Sequence, residues 1–318
     1  NANQPFYSKN KKFILSYNGE IYNYIEIKKI LENNGFVFNT NSDTEVVLNS
    51  LIHWGIDAVK KFNGMFAFIF YDVEKNEIIF CRDRYGIKPI YYYQDSHFFA
   101  LASEQKAIMK IDQFKHDLDY EALYEYFTFQ NIFTNKTLEK SIKMFPPASI
   151  GKYNINSNIL NIDSYWDYSY NSKNNKEPSY DDSIIELEHL FKQAVKRQLI
   201  SDVEISSYLS SGVDTGSISA VASQYISNLK TFTCGFDNTS ATGIEIFFDE
   251  TKQAKNISKD LGTNHHELII NSKDMENSLD KLVYHLEEPR VGQSYPNYLI
   301  SNHVSKYVDN YITNMNNG

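Results

Sequence analysis

Arginine is scarce in this 318-residue chain, where Arg82, Arg84, Arg197 and Arg290 are the only four, and the net charge is −9. No basic stripe is available to meet a phosphate backbone, so nucleic acid is not an expected partner. Cysteine is scarcer still. Cys81 and Cys234 lie far apart and lack metal-ligand spacing. This argues against a zinc site and a disulfide scaffold, and points to reduced thiols and a cytoplasmic location. No run approaches the roughly 18 apolar residues that a membrane span requires, so no membrane partner is expected. The opening Asn1-Ala2-Asn3-Gln4-Pro5 has no initiator Met, basic region or apolar stretch. It does not read as a signal peptide, but as a start inside a longer protein.

What is present is enough apolar material for real cores, 42% of residues, and a length that suggests two domains of about 100–200 residues each. The first half predicts strands in close succession, at residues 12–17, 65–72, 78–82, 90–93 and 98–102, with a sharp turn at Asn18-Gly19-Glu20. Helical spacing covers residues 24–31, and a second helix starts near Asp43-Thr44-Glu45. Such strands imply packed antiparallel sheets. Residues 166–182 are polar, contain Pro178 and read as a linker between domains at 1–165 and 183–318.

The second half alternates strand and helix. An amphipathic helix carries Leu187, Leu190, Phe191, Ala194 and Val195. Strands are predicted at 230–236, 266–270 and 308–313. Asp249 caps a helix that Gly262 closes, and another helix over 274–286 turns Leu279, Leu282 and Val283 inward. This β-then-α order implies a parallel sheet with ligands at the carboxyl ends of its strands. At such an end lies Ser210-Ser211-Gly212-Val213-Asp214-Thr215, between a strand-like alternation and a helix. Small side chains there let backbone N–H groups and a helix N-terminus approach phosphate. The loop lacks a Walker lysine. The plain alternative is an ordinary turn with a Ser N-cap.

Several stretches in order resemble the glutamine-hydrolysing asparagine synthetases: Asn18-Gly19-Glu20-Ile21-Tyr22-Asn23, Ser42-Asp43-Thr44-Glu45-Val46, Asn63-Gly64-Met65-Phe66-Ala67-Phe68 and Arg82-Asp83-Arg84-Tyr85-Gly86-Ile87-Lys88-Pro89-Ile90-Tyr91-Tyr92. Ala102-Ser103-Glu104-Gln105-Lys106-Ala107, Tyr165-Trp166-Asp167 and Ser201-Asp202-Val203 follow. The loop at 210–215, Phe248-Asp249-Glu250, residues 261–268 and Glu288-Pro289 complete the series. The resemblance implies an N-terminal antiparallel β-sandwich glutaminase of the Ntn-hydrolase type, then a parallel-sheet PP-loop α/β domain. It implies glutamine, aspartate and ATP as substrates, with Mg²⁺, and allows a homodimer. The implied reaction is adenylation of aspartate and amidation by glutamine-derived ammonia, giving asparagine, AMP and pyrophosphate.

By this resemblance Asn18 and Gly19 form an oxyanion hole, although Asn-Gly is also a common hairpin turn. Glu20 and Asp43 hold the glutamine amino group, and Asp43 is alternatively a helix cap. Ser210, Ser211, Gly212, Asp214 and Thr215 form the PP-loop, with Asp214 toward Mg²⁺. Tyr208 and Cys234 line the adenosine pocket through backbone groups. Asp83 and Arg84 read as a turn-stabilising pair. Asp249 and Glu250 cap a helix or approach the metal, capping being preferred. His265 and His266, adjacent in a strand, point to opposite faces and do not form a metal pair. Glu287-Glu288-Pro289 is either a pocket edge or a helix end.

Against the family's usual Ser-Gly-Gly-x-Asp-Ser, Ser211 replaces the first Gly and Thr215 the last Ser. The family's N-terminal nucleophilic Cys has no counterpart at Asn1, so the chain as it stands is not expected to hydrolyse glutamine. Asn314, Asn316 and Asn317 stand where a Gly-rich ATP segment is expected. The chain thus reads as truncated at both ends. An amidotransferase of the same architecture acting on another carboxylate, and an inactive binding protein, are the alternatives.

Overall fold

The computed structural model describes residues 3–170, 178–201, 203–237, 249–290 and 294–308. Two compact units divide the chain, residues 1–174 and 175–318.

The first unit runs β1 (Phe6–Tyr7), β2 (Phe13–Ile21), α1 (Tyr24–Asn33), α2 (Asp43–Trp54), β3 (Gly64–Asp72), β4 (Glu77–Arg82), β5 (Tyr91–Gln94), β6 (Phe99–Ala102), α3 (Gln105–Met109), α4 (Tyr120–Phe129), β7 (Ile142–Met144), β8 (Ser149–Asn154) and β9 (Ile159–Ser164). A six-stranded antiparallel sheet is ordered β1-β2-β3-β4-β8-β9, and a three-stranded antiparallel sheet β6-β5-β7. Period-2 alternation sorts the side chains. Leu15, Tyr17 and Ile21 of β2 and Phe66, Phe68 and Phe70 of β3 pack with Ile27 and Leu31 of α1 and Val47 and Leu51 of α2. A second cluster joins Ala67 and Phe80 of the large sheet to Tyr92, Phe99 and Leu101 of the small one. Tyr91 and Tyr93 pack beneath Ile108 of α3. Fully burying each such side chain contributes about 1.5–3 kcal/mol.

Local capping agrees with the elements and sharpens one position. The N-cap of α2 is Ser42, whose hydroxyl accepts from the Thr44 amide at 3.2 Å. Asp43 is the first helical residue and is left for other contacts. The Asn18-Gly19-Glu20 turn is corrected: β2 runs through it to Ile21, paired with β3 from Phe13↔Asp72 to Ile21↔Gly64.

The second unit runs α5 (Tyr180–Gln198), β10 (Ser206–Tyr208), α6 (Val213–Ala222), β11 (Lys230–Phe236), α7 (Thr251–Leu261), β12 (Asn264–Ile270), α8 (Ser272–Leu286) and α9 (Ser294–Val304). Its sheet is parallel, β10-β11-β12. Val195 of α5 packs with Val221 and Ala222 of α6, and Ile300 and Val304 of α9 cover Phe232 of β11. Gly262 ends α7 in the left-handed region at φ 66°. In α8 only Leu282 of the expected apolar trio is buried. Leu279 and Val283 are exposed, because among the described residues nothing packs over their side of the helix. The expected strand at 308–313 lies outside the described residues beyond Val308. Among the described residues no helix is long and apolar enough to cross a membrane.

Candidate functional site

In the first unit the candidate residues gather along one edge of β2. Phe66 donates its amide to the Asp83 carboxylate at 3.2 Å, and its carbonyl accepts from the Asp83 amide at 2.8 Å. The backbone polar groups of Phe66 therefore face β4. Its partner Gly19 is in a non-hydrogen-bonded pair of the β2–β3 ladder, and the Gly19 N–H turns to the opposite side of β2. Two residues either way, the same side is already engaged. Gln4 bonds both the Tyr17 amide, at 2.5 Å, and the Tyr17 carbonyl, at 2.6 Å. Asp43 accepts from the Ile21 amide at 3.0 Å and from the Tyr17 hydroxyl at 2.7 Å. Asp43 thus ties the start of α2 to the strand on both sides of Gly19.

Gly19 has φ 150°, and a Cβ there would lie 2.2 Å from the Met65 carbonyl oxygen. Only glycine fits where the strands come this close. Asn18 and Glu20 alternate with it on the exposed face. A cavity of about 250 Å³ opens there, lined by Ser16, Asn18, Ala67, Ile69, Pro89 and Ser103 among others. Asn18 lines it, whereas Glu20 and Asp43 do not. Burial pushes the Asp43 carboxyl up, against the bonds from Tyr17 and Ile21 that hold it down.

The Arg82–Pro89 segment is a structural node, although Asp83 and Arg84 do not form the expected pair. Asp83 is buried and accepts from the amides of Phe66, Tyr85, Ile87 and Lys88. Arg84 reaches the Phe62 carbonyl at 2.9 Å. The Arg82 guanidinium spans the carbonyls of Gly86, Lys88 and Phe145. Four backbone amides on one carboxylate satisfy Asp83 without a cation.

In the second unit the loop at 210–215 leaves the carboxyl end of β10 and enters α6. Ser210 donates its amide to the Thr215 hydroxyl at 3.1 Å, the two hydroxyls lie 2.7 Å apart, and the Gly212 amide donates to Ser210 Oγ at 3.1 Å. The N-cap is Gly212, not a serine. The Ser211 amide donates out of the loop, to Glu250 Oε2 at 3.1 Å. Asp214 is exposed in the first turn of α6. Tyr208 pairs with Phe232, and Cys234 lies two residues further along β11, so both stand at the carboxyl ends of neighbouring parallel strands. Tyr208 also meets Ser301 of α9, its hydroxyl 3.0 Å from Ser301 Oγ. Burial pushes the Cys234 thiol up to about 12, which leaves it unreactive.

Asp249 caps α7, accepting from the Thr251 amide and hydroxyl at 3.1 and 2.7 Å, while Glu250 turns to the loop. His265 meets Thr231 Oγ1 at 3.0 Å, and His266 stacks on Phe232 at 5.0 Å. Phe248, Asp202 and Thr313–Gly318 lie outside the described residues. Two contributors went unread in the sequence. Tyr17 has one signal, its place one residue before Asn18 on a strand. Gln4 has none.

The arrangement is an antiparallel unit with a glycine-wedged strand edge, then a parallel unit with a small-residue loop at a helix start. Residues 1–166 match the glutamine amidotransferase domain family, which sets the class of the first unit. Residues 186–311 match the asparagine synthase family. The chain therefore belongs to the glutamine amidotransferase domain family through its first unit, and an asparagine synthase match follows in its second. Asparagine synthetase 1 of Bacillus subtilis strain 168 is 32% identical over 97% of this chain and 47% of its own length. Asparagine synthetase 3 of that strain is 32% identical over 86% and 45%. A putative asparagine synthetase 2 of Methanocaldococcus jannaschii is 32% identical over 93% and 56%. The chain spans about half the length of these relatives. A solved glutamine phosphoribosylpyrophosphate amidotransferase from B. subtilis overlays with a TM-score of 0.37 at 14% identity, covering 84% of this chain and 64% of that one, a likeness too weak to carry weight.

Proposed function

We propose that this chain contributes the glutamine-handling and ATP-handling units of an asparagine synthetase. Aspartate is adenylated by ATP, and ammonia released from glutamine displaces AMP, leaving asparagine, AMP and pyrophosphate. The observation that carries this reading is the order of the two family matches, glutamine amidotransferase domain then asparagine synthase, in one chain.

In this reading the first unit, residues 1–165, is an antiparallel sandwich of the Ntn-hydrolase type. Residues 166–182 link it to the PP-loop domain at 183–318. The outward Gly19 N–H and the Asn18 side-chain amide stabilise the oxyanion of the glutamine carboxamide. Donors aimed at developing charge contribute about 10²–10³ in rate each. The Glu20 and Asp43 carboxylates receive the glutamine ammonium.

Ser210, Ser211, Gly212 and Thr215 hold the ATP phosphates, and the backbones of Tyr208 and Cys234 border the adenosine. The donor set fits: the Ser211 amide donates outward from the loop, and a ten-residue helix follows whose first-turn N–H groups have no carbonyl partner within the helix. The exposed Asp214 carboxylate suits Mg²⁺ that keeps phosphate oxygens and waters as its other ligands. Mg²⁺, when bound, neutralises phosphate charge. Such a protein acts in the cytoplasm and pairs as a homodimer.

The test is ATP–pyrophosphate exchange with different acceptors. Exchange that depends on aspartate supports the assignment. Exchange that ignores aspartate but requires another carboxylate replaces the acceptor.

A further inference from the structure

We infer that Glu250 is an internal anion that occupies the 210–215 loop until nucleotide phosphates displace it. The inference rests on the ATP-binding reading of that loop. Three consecutive amides meet at its turn. Those of Ser210 and Gly212 are satisfied within the loop, by Thr215 Oγ1 and Ser210 Oγ. The Ser211 amide alone reaches outside, and it reaches a carboxylate. A loop built to receive an anion therefore holds one already.

The neighbouring residues show that this placement is not helix capping. Glu250 stands at the N-cap position of α7, yet its side chain makes no cap hydrogen bond. Asp249 does that work, through the Thr251 amide and hydroxyl. The start of α7 is also pressed against β11. A Cβ on Gly235 would lie 2.2 Å from Thr251 Cγ2 and 3.1 Å from Asp249 Oδ1. Close approach at Gly235 fixes residues 249–251 beside the sheet's carboxyl end, and from there Glu250 spans to the loop.

A carboxylate and a phosphate compete for the same N–H and the same positive helix end. The empty loop stays ordered, and weakly held anions are excluded. A diphosphate, with more charge and more oxygens, displaces the side chain. Glu250 thus lowers affinity for the pyrophosphate moiety while keeping its cradle open.

The experiment measures inorganic pyrophosphate binding, and ATP binding in parallel, by titration calorimetry on the 318-residue chain without Mg²⁺. Glu250→Ala is expected to bind pyrophosphate about tenfold more tightly than wild type, a difference of about 1.4 kcal/mol. Glu250→Gln keeps shape and an acceptor oxygen but loses the charge, and is expected to fall between the two. Wild-type binding with unchanged or weaker binding in both variants overturns the inference and leaves the ATP reading standing. No binding of pyrophosphate or ATP by any of the three overturns the ATP reading, and this inference with it.

Discussion

The Tyr17 hydroxyl donates a 2.7 Å hydrogen bond to the Asp43 carboxylate, which also accepts the Ile21 amide. One side chain from α2 thereby holds β2 on both sides of Gly19. Tyr17 is buried, so its hydroxyl has no water to turn to if the carboxylate is removed. Asp43→Ala is expected to cost about 2–4 kcal/mol, since each buried donor left unpaired costs about 1–3. Tyr17→Phe removes one bond and one donor together, and is expected to cost about 1 kcal/mol. Urea unfolding of the two variants, followed by a probe of the first unit, checks the ratio. Equal losses would contradict the bridging role.

Gly19→Ala tests the strand wedge. The added methyl would meet the Met65 carbonyl oxygen at 2.2 Å on a backbone with φ 150°. Strain and overlap together are expected to cost about 3 kcal/mol or more. Limited proteolysis should show the first unit cut quickly while fragments of the second persist. A variant as resistant as wild type would mean that β2 and β3 separate at this point.

Much of this was legible in the sequence, and the misses have physical causes. The helix from Asp43 showed itself through acidic residues at its start and apolar periodicity behind them. Strands β3 to β6 showed through short apolar runs. Asn18-Gly19 misled because Asn-Gly is the strongest short hairpin signal. Here the glycine serves close packing between strands rather than a turn. The Glu250–Ser211 contact spans 39 residues and the Asp43–Tyr17 contact 26. No local pattern encodes such distances. Leu279 and Val283 fit the apolar stripe of α8 yet stay exposed, because periodicity marks a face without saying what covers it.

The second unit carries a pH dependence with a definite sign. Burial lowers the affinity of His265, His266 and His303 for protons. Lys230 pushes His266 the same way, and Lys306 pushes His303. Glu267 opposes the shift only at His265. The unfolded chain therefore takes up protons first as pH falls below about 6.5. Stability is full above that value and declines as pH drops through the folded-state values. Melting temperature recorded from pH 8 to pH 5 should fall on the acid side. His266→Phe should flatten the decline, and should stabilise by about 1 kcal/mol by removing a buried ring nitrogen, Nε2, that has no hydrogen-bond partner among the described residues.

Thiol labelling checks the passive role of both cysteines. Burial pushes Cys81 well above the ordinary thiol range and Cys234 up to about 12. At pH 8 an aromatic disulfide reagent should modify neither at an appreciable rate in the native chain, and both at once in denaturant. A single fast native thiol would show that a cysteine here is exposed and activated.

The most direct test of the central claim separates adenine nucleotides by chromatography. The gene product that carries this sequence is incubated with ATP, Mg²⁺, aspartate and ammonia. Adenylation of a carboxylate predicts AMP and pyrophosphate in equal amounts, dependent on aspartate and abolished by Asp214→Asn. Accumulation of ADP and inorganic phosphate instead would mean that the carboxylate is phosphorylated, and would contradict the account.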